Sequence, residues 1–333
     1  MTGILLALLG GLLVGNCMAP LKRIRVWAWE CTWLVFSVAS LILVPWLIAL
    51  AVIPGWPGIY SSLTTAMWLP SLLLGFGWGI AQVLFGISVV RLGMSLAFTI
   101  VIGLGTVFGT LVPLMTQHRG ELFSTKSMIL IAGCGLMAFG VSLSGVAGSL
   151  REKSAAEEAG GSKYGSGYVS GLMIAVLSGV LSSMLNLSLA FGEPIAQLAI
   201  EHGAAQANAP FAVWPVAFAG GLIPNLAYTL WLLVKNRSWG LLTRRWQDGG
   251  WSLLMGSLWI GAVAIYGIST RYLGTLGVSA GWAIFEITMV LTANAAGLLL
   301  GEWKRAPRRA VGILAGGVVV LVLATITTAI STR

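Results

Sequence analysis

The chain has 333 residues, of which 57% are hydrophobic and only 9% are charged, and its formal net charge is +9. Water-soluble globular proteins carry charges on about a quarter of their residues, so this composition excludes that class and indicates a polytopic membrane protein. A mean hydropathy of +0.92 supports the same interpretation.

Ten apolar segments are long enough to cross a bilayer as α-helices, because each helical crossing needs about 20 predominantly apolar residues. In chain order they are residues 2–20, 31–53, 67–90, 94–116, 127–149, 167–189, 210–234, 251–270, 274–300 and 309–330, numbered below as the first to tenth spans. Little of the chain remains for a soluble domain. The predicted fold class is therefore an all-α membrane protein with ten transmembrane helices.

The basic residues are distributed unevenly among the connections between spans. Counted in chain order, the odd-numbered connections contain 15 Lys and Arg residues, and the opposite side contains four. Because basic residues accumulate in cytoplasmic loops, both termini are predicted to lie outside the cytoplasm, in a multi-pass protein of the inner (plasma) membrane. Clusters such as Arg244-Arg245 then meet anionic lipid headgroups, so we expect membrane lipids, and not nucleic acid, as partners.

Residues 151–167 form the longest strongly polar run and separate two sets of five spans, residues 1–150 and residues 168–333. We interpret the run as a flexible cytoplasmic linker. Because five is odd, the second half enters the membrane from the opposite face, which predicts two inverted five-helix repeats. Similar Leu-Gly turns before the fourth and ninth spans are a weak sequence echo of this arrangement.

The ninth span contains one acidic residue, Glu286, near its centre. An ionisable side chain at that depth costs about 2.5–3.5 kcal/mol on insertion scales, so it marks a candidate ion or substrate pathway. Ser279 and Trp282 share its helix face, and Asn294 lies at the margin of that face. Desolvation disfavours the charged form of a carboxyl, which favours Glu286 as the proton-coupling residue. An alternative is that Glu286 hydrogen-bonds to another helix and only stabilises the bundle.

Further polar and aromatic side chains at membrane depth are candidates for binding a sugar. Sugar hydroxyls need hydrogen-bond donors and acceptors, while the C–H face of a sugar ring packs on an aromatic ring. The predicted substrate-binding residues are Asn16, Trp78, Gln82, Asn186, Trp214, Asn225, Ser279, Trp282 and Asn294. Asparagine and glutamine also join transmembrane helices without touching a ligand, so each amide has that alternative role.

Signatures of enzymes, metal sites and cofactor sites are missing from the sequence. It contains no His-Glu-x-x-His, no Gly-x-Ser-x-Gly and no Walker loop. The three cysteines lack the paired spacing of a zinc site. We therefore expect no enzymatic activity, no metal and no cofactor, and an ion gradient or the substrate's own gradient as the energy source.

The most specific motif of the chain follows the first span and reads APLKRIRVWAWECTW at residues 19–33. Supporting motifs are LVPW at 43–46, WGI at 78–80 and RLGMS at 91–95. Together they resemble the L-rhamnose–proton symporter family, within the drug/metabolite transporter superfamily. The resemblance implies ten helices in two inverted five-helix repeats, alternating access, and uptake of a deoxysugar with a proton.

Two further residues gain interest from this resemblance. Gln82 lies where the family pattern leads us to expect an asparagine. Glu30 follows Trp29 at the start of the second span, and we predict a role for it in gating. The alternative is that Glu30 pairs with a neighbouring cation such as Lys22.

The leading hypothesis is a proton-coupled secondary active transporter that imports a monosaccharide, a 6-deoxyhexose such as L-rhamnose or L-fucose, by alternating access. We expect a monomer or a homodimer. The alternative within transport is an exporter or exchanger of another small metabolite or of an organic cation, because an acid near tryptophans also suits a cation. A structural membrane protein without transport and a membrane enzyme are the remaining alternatives.

Overall fold

A computed structural model describes residues 1–158, 168–301 and 303–332 of the chain. These residues form α-helices joined by short 3-10 and π segments, and no β-strand occurs among them. The predicted all-α fold class is confirmed. Residues 159–167, which belong to the predicted linker, and Glu302 lie outside the described residues.

The helices follow one another with short connections. They are α1 (Thr2–Asn16), α2 (Trp29–Val38), α3 (Val44–Val52), α4 (Trp56–Ser62), α5 (Thr65–Leu92), α6 (Met94–Gln117), α7 (Thr125–Glu158), α8 (Tyr168–Ser182), α9 (Met184–Phe191), α10 (Glu193–Glu201), α11 (Pro210–Lys235), α12 (Trp246–Tyr272), α13 (Gly277–Leu299) and α14 (Arg308–Ser331). Within the described residues, ten stretches are long and apolar enough to cross a membrane, which confirms the predicted number of spans.

The second span, Trp29–Val52, is not a uniform α-helix. A π-helical segment at Ala39–Leu43 separates α2 from α3, and Pro45 lies in the first turn of α3. Proline has no backbone N–H to donate to the preceding turn, so the helix there must find another hydrogen-bond pattern. Single π turns inside α-helices occur frequently at functional sites.

The sixth span, Tyr168–Glu201, is longer than predicted and is interrupted twice. Ser183 separates α8 from α9, and Gly192 separates α9 from α10. The sequence analysis ended this span at residue 189, whereas the structure continues it through α10, whose Ile195 is fully buried. Pro194 in the first turn of α10 explains the restart, because its fixed φ suits the first helical position.

The first part of the predicted linker is helical. α7 continues from the fifth span to Glu158. Within this extension, Glu152 accepts hydrogen bonds from the backbone N–H and the hydroxyl of Ser95, at 2.9 and 2.6 Å. The carboxylate therefore caps the start of α6 and ties the end of α7 to it.

The chain folds as two compact units. Unit 1 contains Met1–Ile80 and Met184–Tyr272, and unit 2 contains Ala81–Ser183 and Leu273–Arg333. Each unit thus takes segments from both sides of the predicted linker. The compact units differ from the sequence halves 1–150 and 168–333, and the inverted relation between those halves stays a prediction.

Close helix crossings build both units. In unit 1, a Cβ atom on Gly75 would lie only 1.8 Å from the carbonyl oxygen of Ala217, so α5 and α11 approach backbone to backbone. In unit 2, α7 packs along α14, and a Cβ atom on Gly140 would lie 3.2 Å from the carbonyl oxygen of Gly317. Small residues permit this approach where lipid provides no hydrophobic drive between helices.

Candidate functional site

The side chain of Glu286, which belongs to unit 2, is buried. The residue is 6% exposed, and its Oε2 atom is buried without a hydrogen-bond partner among the described residues. Two residues that follow Glu286 in α13 pack in an apolar cluster with side chains of α7 and α14; they are Ile287 and Val290. An unpaired carboxyl oxygen in such surroundings is costly unless the group carries a proton or meets a water or ligand.

Trp282 lies one helical turn before Glu286 and packs α13 against α6. Its indole Nε1 donates a hydrogen bond to the carbonyl of Gly105 at 3.3 Å. A Cβ atom on Gly109 would lie 2.4 Å from the same nitrogen, so the ring fills the space that Gly109 leaves free. Gly109 therefore accommodates an indole ring that, bonded to the carbonyl of Gly105, holds the helix carrying Glu286.

Ser279 and Asn294 lie at opposite ends of the predicted polar face of α13. Ser279 is 1% exposed, and its hydroxyl has no hydrogen-bond partner among the described residues. Asn294 donates from Nδ2 to the hydroxyl of Ser144 at 3.3 Å, which joins α13 to α7. Ser279 and Glu286, about two helical turns apart, thus both carry buried oxygen atoms without partners.

Six of the aromatic rings in unit 1 make a series of contacts, and we call these six the aromatic cluster. Its members are Trp33 and Phe36 of α2, Trp78 of α5, Trp214 and Phe218 of α11, and Trp259 of α12. Ring centroids of neighbours lie 4.7 Å (Trp33 to Phe36), 6.2 Å (Phe36 to Trp259), 5.4 Å (Trp259 to Trp78), 6.1 Å (Trp78 to Phe218) and 5.1 Å (Phe218 to Trp214) apart. Each such pair contributes about 0.5–1.5 kcal/mol beyond the area that it buries.

Amide side chains flank the aromatic cluster. Asn225 accepts a hydrogen bond from the indole Nε1 of Trp33 at 3.0 Å and donates to the carbonyl of Gly221 at 2.9 Å. Asn186 of α9 accepts a short hydrogen bond from the hydroxyl of Tyr266 in α12. Both amides are buried, and both join helices of unit 1, so each performs at least the helix-joining role that the sequence left open.

Two carboxylates hold the segment between α1 and α2. Glu30 is 5% exposed and accepts hydrogen bonds from Asn236 Nδ2 at 3.0 Å and Ser238 Oγ at 2.5 Å, so polar groups that follow α11 surround it. Asp248 is fully buried near the start of α12. Its Oδ2 accepts three successive backbone N–H groups, those of residues 25, 26 and 27, at 3.2, 2.8 and 3.1 Å.

The other end of α12 carries an ion pair. Arg271 donates from Nη1 and Nη2 to the two carboxylate oxygens of Glu193, both at 2.9 Å, which is a bidentate arrangement. This pair joins α12 to the first turn of α10. Among the described residues no group of three or more His, Cys, Asp or Glu side chains could hold a metal ion.

A family model described as L-rhamnose-proton symport protein (RhaT) matches residues 1–331. The chain belongs to this family. Curated relatives are named L-rhamnose-proton symporters: one from Cronobacter sakazakii is 30% identical, and one from Shigella dysenteriae serotype 1 is 28% identical, each over 97% of this chain and 95% of the relative. The family resemblance deduced from the sequence is confirmed, and the chain is a multi-pass membrane protein of a symporter family.

A solved crystal structure described only as "Crystal structure of protein" has the same fold. It aligns with a TM-score of 0.53 over 100% of this chain and 97% of that chain, at 16% identity. At this identity the likeness concerns the fold alone.

In this symporter-family chain, the predicted site residues fall into two groups. Asn16, Glu30, Trp78, Asn186, Trp214 and Asn225 belong to unit 1, and Gln82, Ser279, Trp282, Glu286 and Asn294 belong to unit 2. Asn16 is half-buried at the end of α1 and donates to its own helix at the carbonyl of Leu12. Gln82 is partly exposed in the middle of α5, and Trp214 is 1% exposed in the aromatic cluster.

Sequence reasoning missed Trp33, Trp259, Tyr266 and Asp248. Trp259 lies in the middle of a span, as Trp78 does, so the criterion that selected Trp78 selects it as well. Tyr266 carries a hydroxyl at membrane depth, which is also a visible signal. Asp248 gave no comparable signal, because its partners are backbone N–H groups more than 220 residues away in the chain.

Proposed function

We propose that this chain is a proton-coupled importer of a monosaccharide, a 6-deoxyhexose such as L-rhamnose or L-fucose, that works by alternating access. The relatives named L-rhamnose-proton symporters align with the chain almost from end to end, which supports the solute class and the coupling ion. The observation that carries the proposal is Glu286, a buried carboxyl without a hydrogen-bond partner for Oε2 in the described part of a symporter-family chain.

Glu286 is the proposed proton carrier. When the site faces outward the carboxylate binds a proton and becomes neutral, and when the site faces inward it releases the proton. One proton per sugar, moving down a membrane potential, provides about 2.3 kcal/mol per 100 mV. That free energy supports a sugar concentration ratio of about 50-fold. A neutral carboxyl is also far cheaper to hold in apolar surroundings than a charged one, which favours proton release only when the site is wet.

Sugar binding is assigned to the predicted polar and aromatic residues. In unit 1, the aromatic cluster contains rings on which the C–H surface of a sugar can pack, and its Trp33 and Trp259 are partly exposed. Taken by itself, Gln82 of unit 2 is a hydrogen-bond donor and acceptor for a hydroxyl. Gln82 is partly exposed and hydrogen-bonds to no described residue, so its amide is available to a ligand.

The test of proton coupling is sugar uptake into proteoliposomes with an imposed proton gradient. We expect Glu286→Gln to abolish accumulation of radiolabelled L-rhamnose against its gradient while exchange of internal for external sugar continues. The matched control is Glu201→Gln, the same change at an exposed carboxyl, which should behave as the unmodified protein. Undiminished proton-driven accumulation by Glu286→Gln would refute the assigned role.

The solute class is tested by thermal stability of the detergent-purified protein. A ligand raises the melting temperature by mass action. L-Rhamnose and L-fucose should stabilise the protein, and more strongly at low pH, because the protonated transporter binds sugar. Stabilisation by an organic cation such as tetraphenylphosphonium, without any effect of the sugars, would replace this proposal with the cation exporter or exchanger.

We also infer that both termini face outside the cytoplasm and that the two sequence halves are inverted repeats. The bias of Lys and Arg toward odd-numbered connections supports this orientation. A phosphatase reporter that is active only outside the cytoplasm, fused after residue 333, should be active. The same reporter inserted at residue 240 should be inactive, and the reverse pattern would overturn the orientation.

A further inference from the structure

Trp259 is exposed on an unexpected side of α12. Leu254, which is 41% exposed, marks the outer side of this helix. Trp259 lies five residues later, about 140° around the helix axis from Leu254. Its neighbours on that side are closely packed, with Ser252, Val263 and Tyr266 exposed by 0%, 1% and 0%. Trp259 itself is partly exposed although it lies on this closely packed side of α12 and not on the side that Leu254 marks.

One aromatic ring stacks on Trp259, and two others approach it at steep angles. Trp78 stacks on one face at 5.4 Å between centroids and 20° between planes. Phe36 and Phe218 approach at 6.2 and 5.6 Å with steep interplanar angles of 62° and 63°. Trp259 makes no other ring contact with a described residue. No other described aromatic ring therefore covers the face of Trp259 opposite Trp78.

The indole N–H groups of the stacked pair are also available. Neither Trp78 nor Trp259 hydrogen-bonds to a described residue through its indole nitrogen, and neither nitrogen is among the fully buried unpaired atoms. In contrast, the indole nitrogen of Trp33 is engaged by Asn225. A tryptophan that only fills a core usually finds a partner for its N–H or is wholly enclosed. Trp259 thus combines partial exposure with an indole N–H that has no described partner, next to a second such N–H on Trp78.

We propose that Trp259 is a specificity-determining residue that contacts the sugar, a step that rests on the proposed function. The C–H face of the sugar packs on the face of Trp259 opposite Trp78, and an indole N–H of the stacked pair donates to a sugar hydroxyl. Phe36 and Phe218, which are 5% and 0% exposed, pack against Trp259 and offer no hydrogen bond beside it. A methyl group of the sugar directed toward these two rings loses no hydrogen bond, whereas a hydroxyl group in the same position loses its hydrogen bond to water. The arrangement therefore selects 6-deoxy sugars over their 6-hydroxy analogues.

The experiment measures dissociation constants of L-rhamnose and of L-mannose, its 6-hydroxy analogue, with the purified full-length protein. We expect Trp259→Leu to weaken L-rhamnose binding about tenfold, since a lost aromatic contact is in that range. The unmodified protein should prefer L-rhamnose over L-mannose by about ten- to a hundredfold, and this ratio should fall toward one in Trp259→Leu. Trp246→Leu, at a site that is 79% exposed, is the matched control and should change neither value.

A second variant separates binding from folding. Trp259→Phe keeps an aromatic ring in the cluster but removes the N–H, so it should fold and weaken L-rhamnose binding about threefold or more. Unchanged L-rhamnose affinity in either variant, with a normal melting temperature without sugar, overturns the role of Trp259 and leaves the proposed function standing. Absence of sugar binding by the unmodified protein overturns the proposed function itself, and the role of Trp259 with it.

Discussion

Gly109 should not tolerate alanine, because the indole of Trp282 already occupies the space of the missing side chain. The new Cβ atom would lie 2.4 Å from Nε1 and 2.8 Å from Cδ1 of that ring. Carbon atoms in optimal contact are about 3.5–4.0 Å apart, so the ring must move by about 1 Å or more. That movement breaks the 3.3 Å hydrogen bond from Nε1 to the carbonyl of Gly105.

The expected cost of Gly109→Ala follows from three contributions. Overpacking costs about 1–3 kcal/mol, and the lost hydrogen bond costs about 0.5–1.5 kcal/mol. Alanine is a better helix former than glycine, and this difference stabilises the variant by about 0.5–1 kcal/mol. The net destabilisation is therefore about 0.5–4 kcal/mol. Because Trp282 precedes Glu286 by one helical turn, we also expect proton-driven sugar uptake to fall in this variant.

The free energy of unfolding can be measured by titrating the protein from mild detergent into dodecyl sulfate. Gly103→Ala in the same helix is the matched control, since its Cβ atom would meet only Val141, at an ordinary 3.8 Å. That change should be neutral or slightly stabilising. Combining Gly109→Ala with Trp282→Phe should recover part of the loss, because the smaller ring leaves room for the methyl group. Equal stability of Gly109→Ala and Gly103→Ala would refute the reasoning.

The spans were predictable because they depend on local properties of the sequence. α11 was predicted at 210–234 and extends over Pro210–Lys235, and α14 was predicted at 309–330 and extends over Arg308–Ser331. A bilayer requires long apolar segments whose backbone hydrogen bonds are all satisfied internally. Length and apolarity can be read from the sequence without knowing which helix packs on which.

The interruptions of the spans were less predictable. The break at Ser183 and the π segment before α3 depend on which carbonyl groups find partners, and that is decided by neighbouring helices as well as by the local sequence. Pro45 and Pro194 were visible signals, because proline cannot donate the hydrogen bond that a continuous helix needs. The first part of the predicted linker likewise belongs to α7, which extends to Glu158, and Glu152 in this part caps α6.

Some features of the candidate site were predictable from the sequence, and others were not. Burial of Glu286 and Trp282 followed from their position in a long apolar span, so the sequence was sufficient for both. The partners of Asp248 were not predictable, since they are backbone groups of a distant loop. The stacking of Trp259 on Trp78 joins α12 to α5, and only the tertiary structure shows this contact and the partial exposure of Trp259.

Asp248 and Arg271, near the two ends of α12, should differ in how much stability they confer. Asp248→Ala leaves three backbone N–H groups without their charged acceptor, so we expect a loss of about 2–4 kcal/mol after partial rehydration of the loop. Glu157→Ala, which removes an exposed pair with Lys153, should cost less than about 1 kcal/mol in the same titration. Arg271→Lys replaces a bidentate pair with a single contact to a partly exposed carboxylate, so a loss of about 0.5–1.5 kcal/mol that shrinks at high salt is expected. If Asp248→Ala proves no more destabilising than Glu157→Ala, or if salt leaves the Arg271→Lys effect unchanged, then these contacts do not stabilise the ends of α12 as their geometry indicates.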